Sequence, residues 1–197
     1  TTRLVGSEMC IRDRCSIGGV YPGSAWLLFS LCDPHAIFYT TIHIPAMLDK
    51  GEYPMKIDSI RVGFISTNCY LLCDEDAGVC ALIDPGDKPE QVADMVSRSG
   101  CRLEYILLTH GHFDHTTAVR PLLEKYPDVP VYIHEKDVTD QPPKHMDMMF
   151  SRLPEHNQRY YKEGDTLTLG SLTIRVMETP GHTQGSVCLL VGDVMFS

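Results

Sequence analysis

The segment at residues 103–117, LEYILLTHGHFDHTT, constrains the fold more than any other part of the chain. It opens with a short, mostly apolar run, which is typical of a strand covered on both faces of a sheet. Four residues with metal-binding side chains then fall within six positions: His110, His112, Asp114 and His115. Ligands of α/β sheets bind beyond the carboxyl ends of strands. The segment therefore predicts a functional site at the end of a buried strand.

From Met55 onward the chain alternates strand and helix signals. SIRVGFI, CYLLCD and VCALIDP have the composition of strands. DKPEQVADMVSRSG predicts a helix, with Asp87 as the N-cap, Glu90 completing a capping box and Gly100 ending the helix. A second helix, with an apolar side that includes Val119, is expected after the histidines. This order of elements predicts an α/β domain.

Later segments predict two hairpins and a less regular region between residues 136 and 163. GDTLTLGSLTIRVME turns at Gly170, and SVCLLVGDVMFS turns at Gly192, which makes Asp193 a turn residue. His134 ends the strand VPVYIH and is interpreted as a structural histidine. In the irregular region, core filling is the interpretation for three methionines: Met146, Met148 and Met149.

The spacing of the donors suggests how metal could be bound. His110 and His112 are one residue apart and can turn their imidazoles toward one ion, while Asp114 and His115 can reach a second ion nearby. Imidazole and carboxylate together suit zinc, iron or manganese, and the absence of thiolates argues against a closed structural zinc site.

Composition narrows the range of partners. The net charge is −9, with no basic block, so nucleic acid is not the expected partner. No apolar run reaches the length of about 18 residues that a membrane span requires. The eight cysteines include no C-x-x-C pair, which indicates free thiols in a cytoplasmic protein. A small-molecule substrate is therefore expected, and the sequence carries no signal for an oligomeric state.

Three motifs together resemble one enzyme family. THGHFDH is similar to the H-x-H-x-D-H signature of the metallo-β-lactamase-fold hydrolases. TNCYLL followed by LIDPGD resembles the opening strands of that family, and TPGHTQGSVCLL resembles the segment that carries a further metal-binding histidine. The resemblance covers residues 55–197 and implies a four-layer αββα sandwich.

The resemblance also implies roles for individual residues. His110, His112 and His182 would bind the first metal. Asp114 and His115 would bind the second metal and are also the expected catalytic residues.

Two further residues would support these ligands. The resemblance implies that Asp84 holds the histidine loop by hydrogen bonds. Thr183, together with Ser186, is expected to hold the loop of His182 through side-chain hydrogen bonds to the backbone.

The implied activity is hydrolysis by a metal-activated water, with two zinc ions in the intact protein. A histidine at position 115 and the segment from GDTLTL to VCLL resemble the glyoxalase II (hydroxyacylglutathione hydrolase)-like branch, so a small thioester, ester or lactone is the expected substrate. The alternative is a mononuclear iron sulfur oxygenase resembling the persulfide dioxygenases. A nucleic-acid-processing hydrolase of the same family fits the acidic charge less well.

The resemblance sets expectations for the ends of the chain. Residues 1–54 are expected to be a non-native or unstructured leader, with Met55 as the true start. Residues 55–197 would form the domain without its C-terminal part. In the family, an aspartate that bridges both metals and a last histidine follow the position of Ser197. A chain that lacks them is expected to bind about one zinc weakly and to have slight activity.

Overall fold

The computed structural model describes residues 3–5, 55–144 and 146–197. These residues form two large sheets, one small sheet and three short helices. The strands are β1 (Arg3–Val5), β2 (Met55–Val62), β3 (Thr67–Asp74), β4 (Val79–Ile83), β5 (Arg102–Leu107), β6 (Val131–His134), β7 (Val138–Thr139), β8 (Phe150–Ser151), β9 (Gln158–Tyr161), β10 (Thr166–Leu169), β11 (Leu172–Glu178), β12 (Val187–Val191) and β13 (Val194–Phe196). The helices are α1 (Pro89–Ser99), α2 (Phe113–Thr116) and α3 (Val119–Lys125), with a 3₁₀ turn at Glu135–Asp137.

The six-stranded sheet has the order β2-β3-β4-β5-β6-β9. Strands β2, β3 and β4 are antiparallel neighbours, whereas β4, β5, β6 and β9 run parallel to one another. Parallel strands end at the same edge of a sheet. Asp84 after β4, the histidine loop after β5 and Asp137 after β6 are therefore brought to one edge.

The second large sheet has the order β1-β13-β12-β11-β10. Its neighbours from β10 to β13 pair antiparallel, and the two predicted hairpins are confirmed with turns at Gly170 and Gly192. Asp193 is exposed in the second turn. The loop between β11 and β12 carries His182.

Two apolar clusters hold these layers together. Leu71, Leu82 and Val92 belong to the cluster between the six-stranded sheet and helices α1 and α3. Leu72 and Ile174 belong to the cluster between the two sheets. The predicted mixed α/β fold is confirmed, and the described residues supply a helix layer and two sheet layers of the expected sandwich.

Helix α1 corrects one detail of the sequence analysis. Val92, Met95 and Val96 are buried, and Gly100 ends the helix in the left-handed conformation, as expected. The prediction that Asp87 is the N-cap was wrong. Lys88 occupies that position with a φ of 52°, and no side chain caps the helix.

Several predictions concern regions outside the two cores. Three methionines expected to fill an irregular core are exposed instead: Met146, Met148 and Met149.

Of the predicted leader, Arg3–Val5 forms β1, which pairs in parallel with β13, and the remaining residues of 1–54 lie outside the described residues. The leader stays a prediction. No helix in the described part of the chain has the length and hydrophobicity to span a bilayer.

Candidate metal centre

Three histidines meet at the edge of the two sheets. His110 and His112 lie in the loop after β5, and His182 lies in the loop between β11 and β12. Each offers one ring nitrogen, and these nitrogens all lie within 4.8 Å of one another. The ring centroids are 4.6 Å apart for His110 and His112, and 4.5 Å apart for His112 and His182. This spacing allows the three imidazoles to share one metal ion.

The hydrogen bonds behind His110 determine which ring nitrogen faces the triad. The Thr109 hydroxyl donates to Oδ2 of Asp84 at 2.7 Å. Its oxygen also lies 3.1 Å from Nδ1 of His110. Because the hydroxyl has only one hydrogen, it must accept from Nδ1, which therefore carries the proton. Nε2 of His110 keeps its lone pair for a ligand.

The environment of His110 fits a metal. Its Nε2 is buried and has no hydrogen-bond partner in the described structure, which is costly for a polar atom unless a ligand satisfies it. Burial, together with the neighbouring rings of His115, His112 and His182, lowers the pKa of His110. Burial also lowers the pKa of His112, and the charge of His182 adds to that effect. Both rings are therefore held in the neutral form that binds metal.

Asp114 and His115 lie beside the triad on helix α2. Nε2 of His115 is 3.5 Å from Oδ2 of Asp114, and Nδ1 of His115 is 2.9 Å from Oδ2 of Asp84. Burial would lower the pKa of His115, but the carboxylates of Asp84 and Asp114 outweigh it and raise that pKa. The Thr67 hydroxyl donates to Oδ2 of Asp114 at 2.9 Å. A carboxylate and an imidazole thus stand together next to the first site.

The LIDPGD motif packs against helix α2. A Cβ on Gly86 would lie 1.6 Å from the backbone oxygen of Asp114, so only glycine allows this approach. The Ala118 amide donates to the carbonyl of Pro85 at 3.0 Å. The motif residue Asp84 accepts from the Thr109 amide at 2.8 Å and thereby holds the start of the histidine loop.

Thr183 and Ser186 form hydrogen bonds within the His182 loop, as the sequence predicted. The Thr183 amide donates to Oγ of Ser186 at 3.0 Å, and the two hydroxyl oxygens are 2.7 Å apart. The Thr183 hydroxyl also donates to Oδ2 of Asp137 at 2.6 Å. Sequence reasoning missed Asp137, although its place in the turn that follows strand β6, at the ligand-binding edge of the sheet, was a usable signal.

His134 is a structural residue, as interpreted. Its Nδ1 accepts from the Lys136 amide at 3.1 Å, and its Nε2 lies 3.1 Å from Oε1 of Glu178. Both ring nitrogens are therefore satisfied within the protein. The structure brings the five predicted metal-binding residues together at one edge, and their role as ligands stays a prediction.

The chain is similar to several known proteins. The chain is 32% identical over 155 residues to the probable metallo-hydrolase YqgX of Bacillus subtilis (strain 168), covering 72% of each protein. The structure is similar to that of BLEG-1 B3 metallo-beta-lactamase, with a TM-score of 0.61, 30% identity, and coverage of 72% of this chain and 71% of that one. It is also similar to TTHA1623 in a di-iron-bound form, with a TM-score of 0.53, 31% identity and coverage of 68% and 66%.

The family assignment rests on most of the domain. The family model described as "Metallo-beta-lactamase superfamily" matches residues 62–194, which span the strands of both large sheets from the end of β2 to the start of β13. The matched region contains the triad, helix α2 and Asp84. The chain belongs to the metallo-beta-lactamase superfamily.

Proposed function

We propose that the chain is a zinc-dependent hydrolase of a small thioester, ester or lactone, in the manner of the glyoxalase II-like branch. The observation that carries the proposal is the triad, in which three imidazole nitrogens lie within 4.8 Å and the buried Nε2 of His110 has no protein partner. Bound zinc lowers the pKa of a coordinated water from 15.7 to about 7 and polarises a substrate carbonyl.

Hydrogen bonds within the protein orient the side chains that would bind metal. His110, His112 and His182 would hold the first ion, and Asp114 with His115 would hold the second. Oriented ligands bind metal more tightly because their geometry is already fixed. Asp84 supplies that orientation to His110 through Thr109, and to His115 directly.

The identity of the metal is part of the proposal. Imidazole and carboxylate suit zinc, iron and manganese alike. A similar protein, TTHA1623, has been crystallised in a di-iron-bound form, which supports two ions and keeps iron as an alternative to zinc. Elemental analysis of protein produced with zinc, iron or manganese in the medium would identify the ion that is retained.

A second candidate is a sulfur oxygenase with one iron. Among the described residues, the donor group whose atoms all lie within 4.8 Å contains the three histidines and neither Asp114 nor His115. That geometry is the one expected of a site for a single ion. Two results would support this alternative: one iron ion per chain in elemental analysis, and consumption of oxygen when a persulfide is added as the substrate.

The substrate is proposed to be a small molecule in the cytoplasm. The net charge of −9 disfavours nucleic acid as a partner. Reduced thiols fit a cytoplasmic protein, and five of the described cysteines form no disulfide: Cys69, Cys73, Cys80, Cys101 and Cys188.

Hydrolysis by the metal-loaded chain tests the proposal. A thioester, an aryl ester and a lactone should be assayed with the wild type, with His112→Ala and with His156→Ala. We expect the wild type and His156→Ala to hydrolyse at least one substrate class, since His156 is exposed and outside the triad. His112→Ala should lose the activity. A wild type that retains metal and hydrolyses none of the three would contradict the proposal.

A further inference from the structure

The carboxylate of Asp137 joins the two loops that carry the three histidines. The side chain is buried at the end of the 3₁₀ turn that follows β6, with 3% of the residue exposed. Oδ2 accepts from the Gly111 amide at 3.0 Å and from the Thr183 hydroxyl at 2.6 Å. Oδ1 accepts from the Gly185 amide at 2.8 Å.

These three donors belong to residues next to the triad. Gly111 separates His110 from His112, Thr183 comes directly after His182, and Gly185 follows two residues later. The approach is close on the second loop, because a Cβ on Gly185 would lie 2.7 Å from Oδ1 of Asp137. One buried carboxylate therefore connects a loop of the six-stranded sheet with a loop of the other large sheet.

We propose that Asp137 is a positioning residue that sets the distance between the His110–His112 pair and His182. The inference rests on the proposed function, in which these three imidazoles hold one ion. Asp137 accepts from the Gly111 amide, the Gly185 amide and the Thr183 hydroxyl, so it acts on the triad through the two loops. Loss of the carboxylate should loosen the triad and weaken metal binding.

A carboxylate suits this position better than an amide. Three donors converge on its two oxygens: Oδ2 accepts from one donor in each loop, and Oδ1 accepts from the loop of His182 alone. In Asp137→Asn one of the two atoms becomes an NH₂ group, which cannot accept from N–H or O–H donors. The variant keeps the size of the side chain but cannot accept all three hydrogen bonds. An NH₂ in place of Oδ1 leaves the Gly185 amide without its acceptor, and an NH₂ in place of Oδ2 leaves the Gly111 amide and the Thr183 hydroxyl without theirs.

Asp74 provides a matched control. It is also buried, and it also accepts from two backbone amides and one hydroxyl: Ala77 N at 3.0 Å, Ser171 N at 2.6 Å and Ser171 Oγ at 2.7 Å. Asp74 joins the β3–β4 turn to the β10–β11 hairpin. Asp74→Asn thus removes the same kinds of hydrogen bond from a place that holds no histidine loop.

The test compares the full chain with these two variants. Zinc affinity is measured by competition with a chromophoric chelator, after circular dichroism has shown that each protein is folded. We expect Asp137→Asn to lower the affinity by about 10- to 100-fold, which is usual when a residue that orients metal ligands is lost. Asp74→Asn should keep the wild-type affinity. The visible spectrum of the cobalt-substituted protein should change for Asp137→Asn alone.

Two results would overturn the inference: wild-type zinc affinity in Asp137→Asn, or an equal loss of affinity in Asp74→Asn. Amide hydrogen exchange on the metal-free proteins separates this failure from failure of the proposed function. At least one of the Gly111 and Gly185 amides should exchange faster in Asp137→Asn whether or not the wild type retains metal. If the wild type binds no metal, the proposed function is wrong, and unchanged exchange at both glycines would then show that the inference is wrong as well.

Discussion

Oδ2 of Asp84 lies 2.9 Å from Nδ1 of His115, and the same carboxylate accepts both polar hydrogens of Thr109. One side chain therefore orients ligands of both proposed metal positions. The backbone of Asp84 is left-handed, with a φ of 52°. Aspartate tolerates that conformation better than most residues, and a functional site often holds such a residue.

The first prediction concerns Asp84→Asn. The amide cannot accept from both the Thr109 amide and the Thr109 hydroxyl, and it removes the negative charge 2.9 Å from Nδ1 of His115, so both histidines lose their fixed orientation. We expect zinc affinity to fall by about 10- to 100-fold. The measurement is a chelator competition, and Asp94→Asn on the exposed side of α1 is the control for the lost charge. Unchanged affinity in Asp84→Asn would show that Asp84 does not orient the ligands.

A second prediction separates the two metal positions. The Thr67 hydroxyl donates to Asp114 but to none of the triad histidines. Thr67→Val removes this donor while nearly conserving the side-chain volume, so the variant should lose the second ion at a lower chelator concentration than the wild type does, and the first ion at the same concentration. Elemental analysis across a chelator series measures this difference. Thr173→Val, on the exposed face of β11, should behave as the wild type. Equal loss of both ions would refute the separation.

The strand ends were predictable from the sequence, but the contacts between them were not. The apolar run before His110 and the motif around Asp84 are local patterns, which placed both residues at strand ends. Asp137 lies 26 residues from Gly111 and 46 from Thr183. These groups meet because β5 and β6 are parallel neighbours and because the second sheet packs against them. No local pattern encodes that packing.

The wrong N-cap has a similar cause. Local sequence favours Asp87 as the cap of α1 because its side chain can accept a backbone hydrogen bond. In the structure Asp87 accepts from the Lys88 amide at 2.7 Å, one residue before the helix. Just before Asp87, Gly86 packs closely against helix α2. This tertiary contact fixes the path of the chain into α1, and the local capping preference is overridden.

Metal should also stabilise the folded protein. A ligand that binds only the native state adds about 2.7 kcal/mol when its free concentration is 100 times its Kd. For a chain of this size, each kcal/mol raises Tm by about 2–4 °C. Zinc should therefore raise the Tm of the wild type by roughly 5–10 °C, and EDTA should reverse the rise. Differential scanning calorimetry of His110→Ala should show no such shift. A shift of equal size in that variant would mean that zinc binds elsewhere.

The last prediction uses two adjacent leucines of β3 that face opposite layers. Leu71 packs toward the helices and Leu72 packs between the two sheets, and both are fully buried. Each substitution to alanine should lower the free energy of unfolding by about 2–5 kcal/mol, measured by urea denaturation. Only Leu72→Ala loosens the contact between the sheets, and His182 lies on the second sheet whereas His110 lies on the first. Zinc affinity of the folded protein should therefore fall in Leu72→Ala and remain near the wild-type value in Leu71→Ala. Equal zinc affinity in the two variants would show that packing between the sheets does not control the triad.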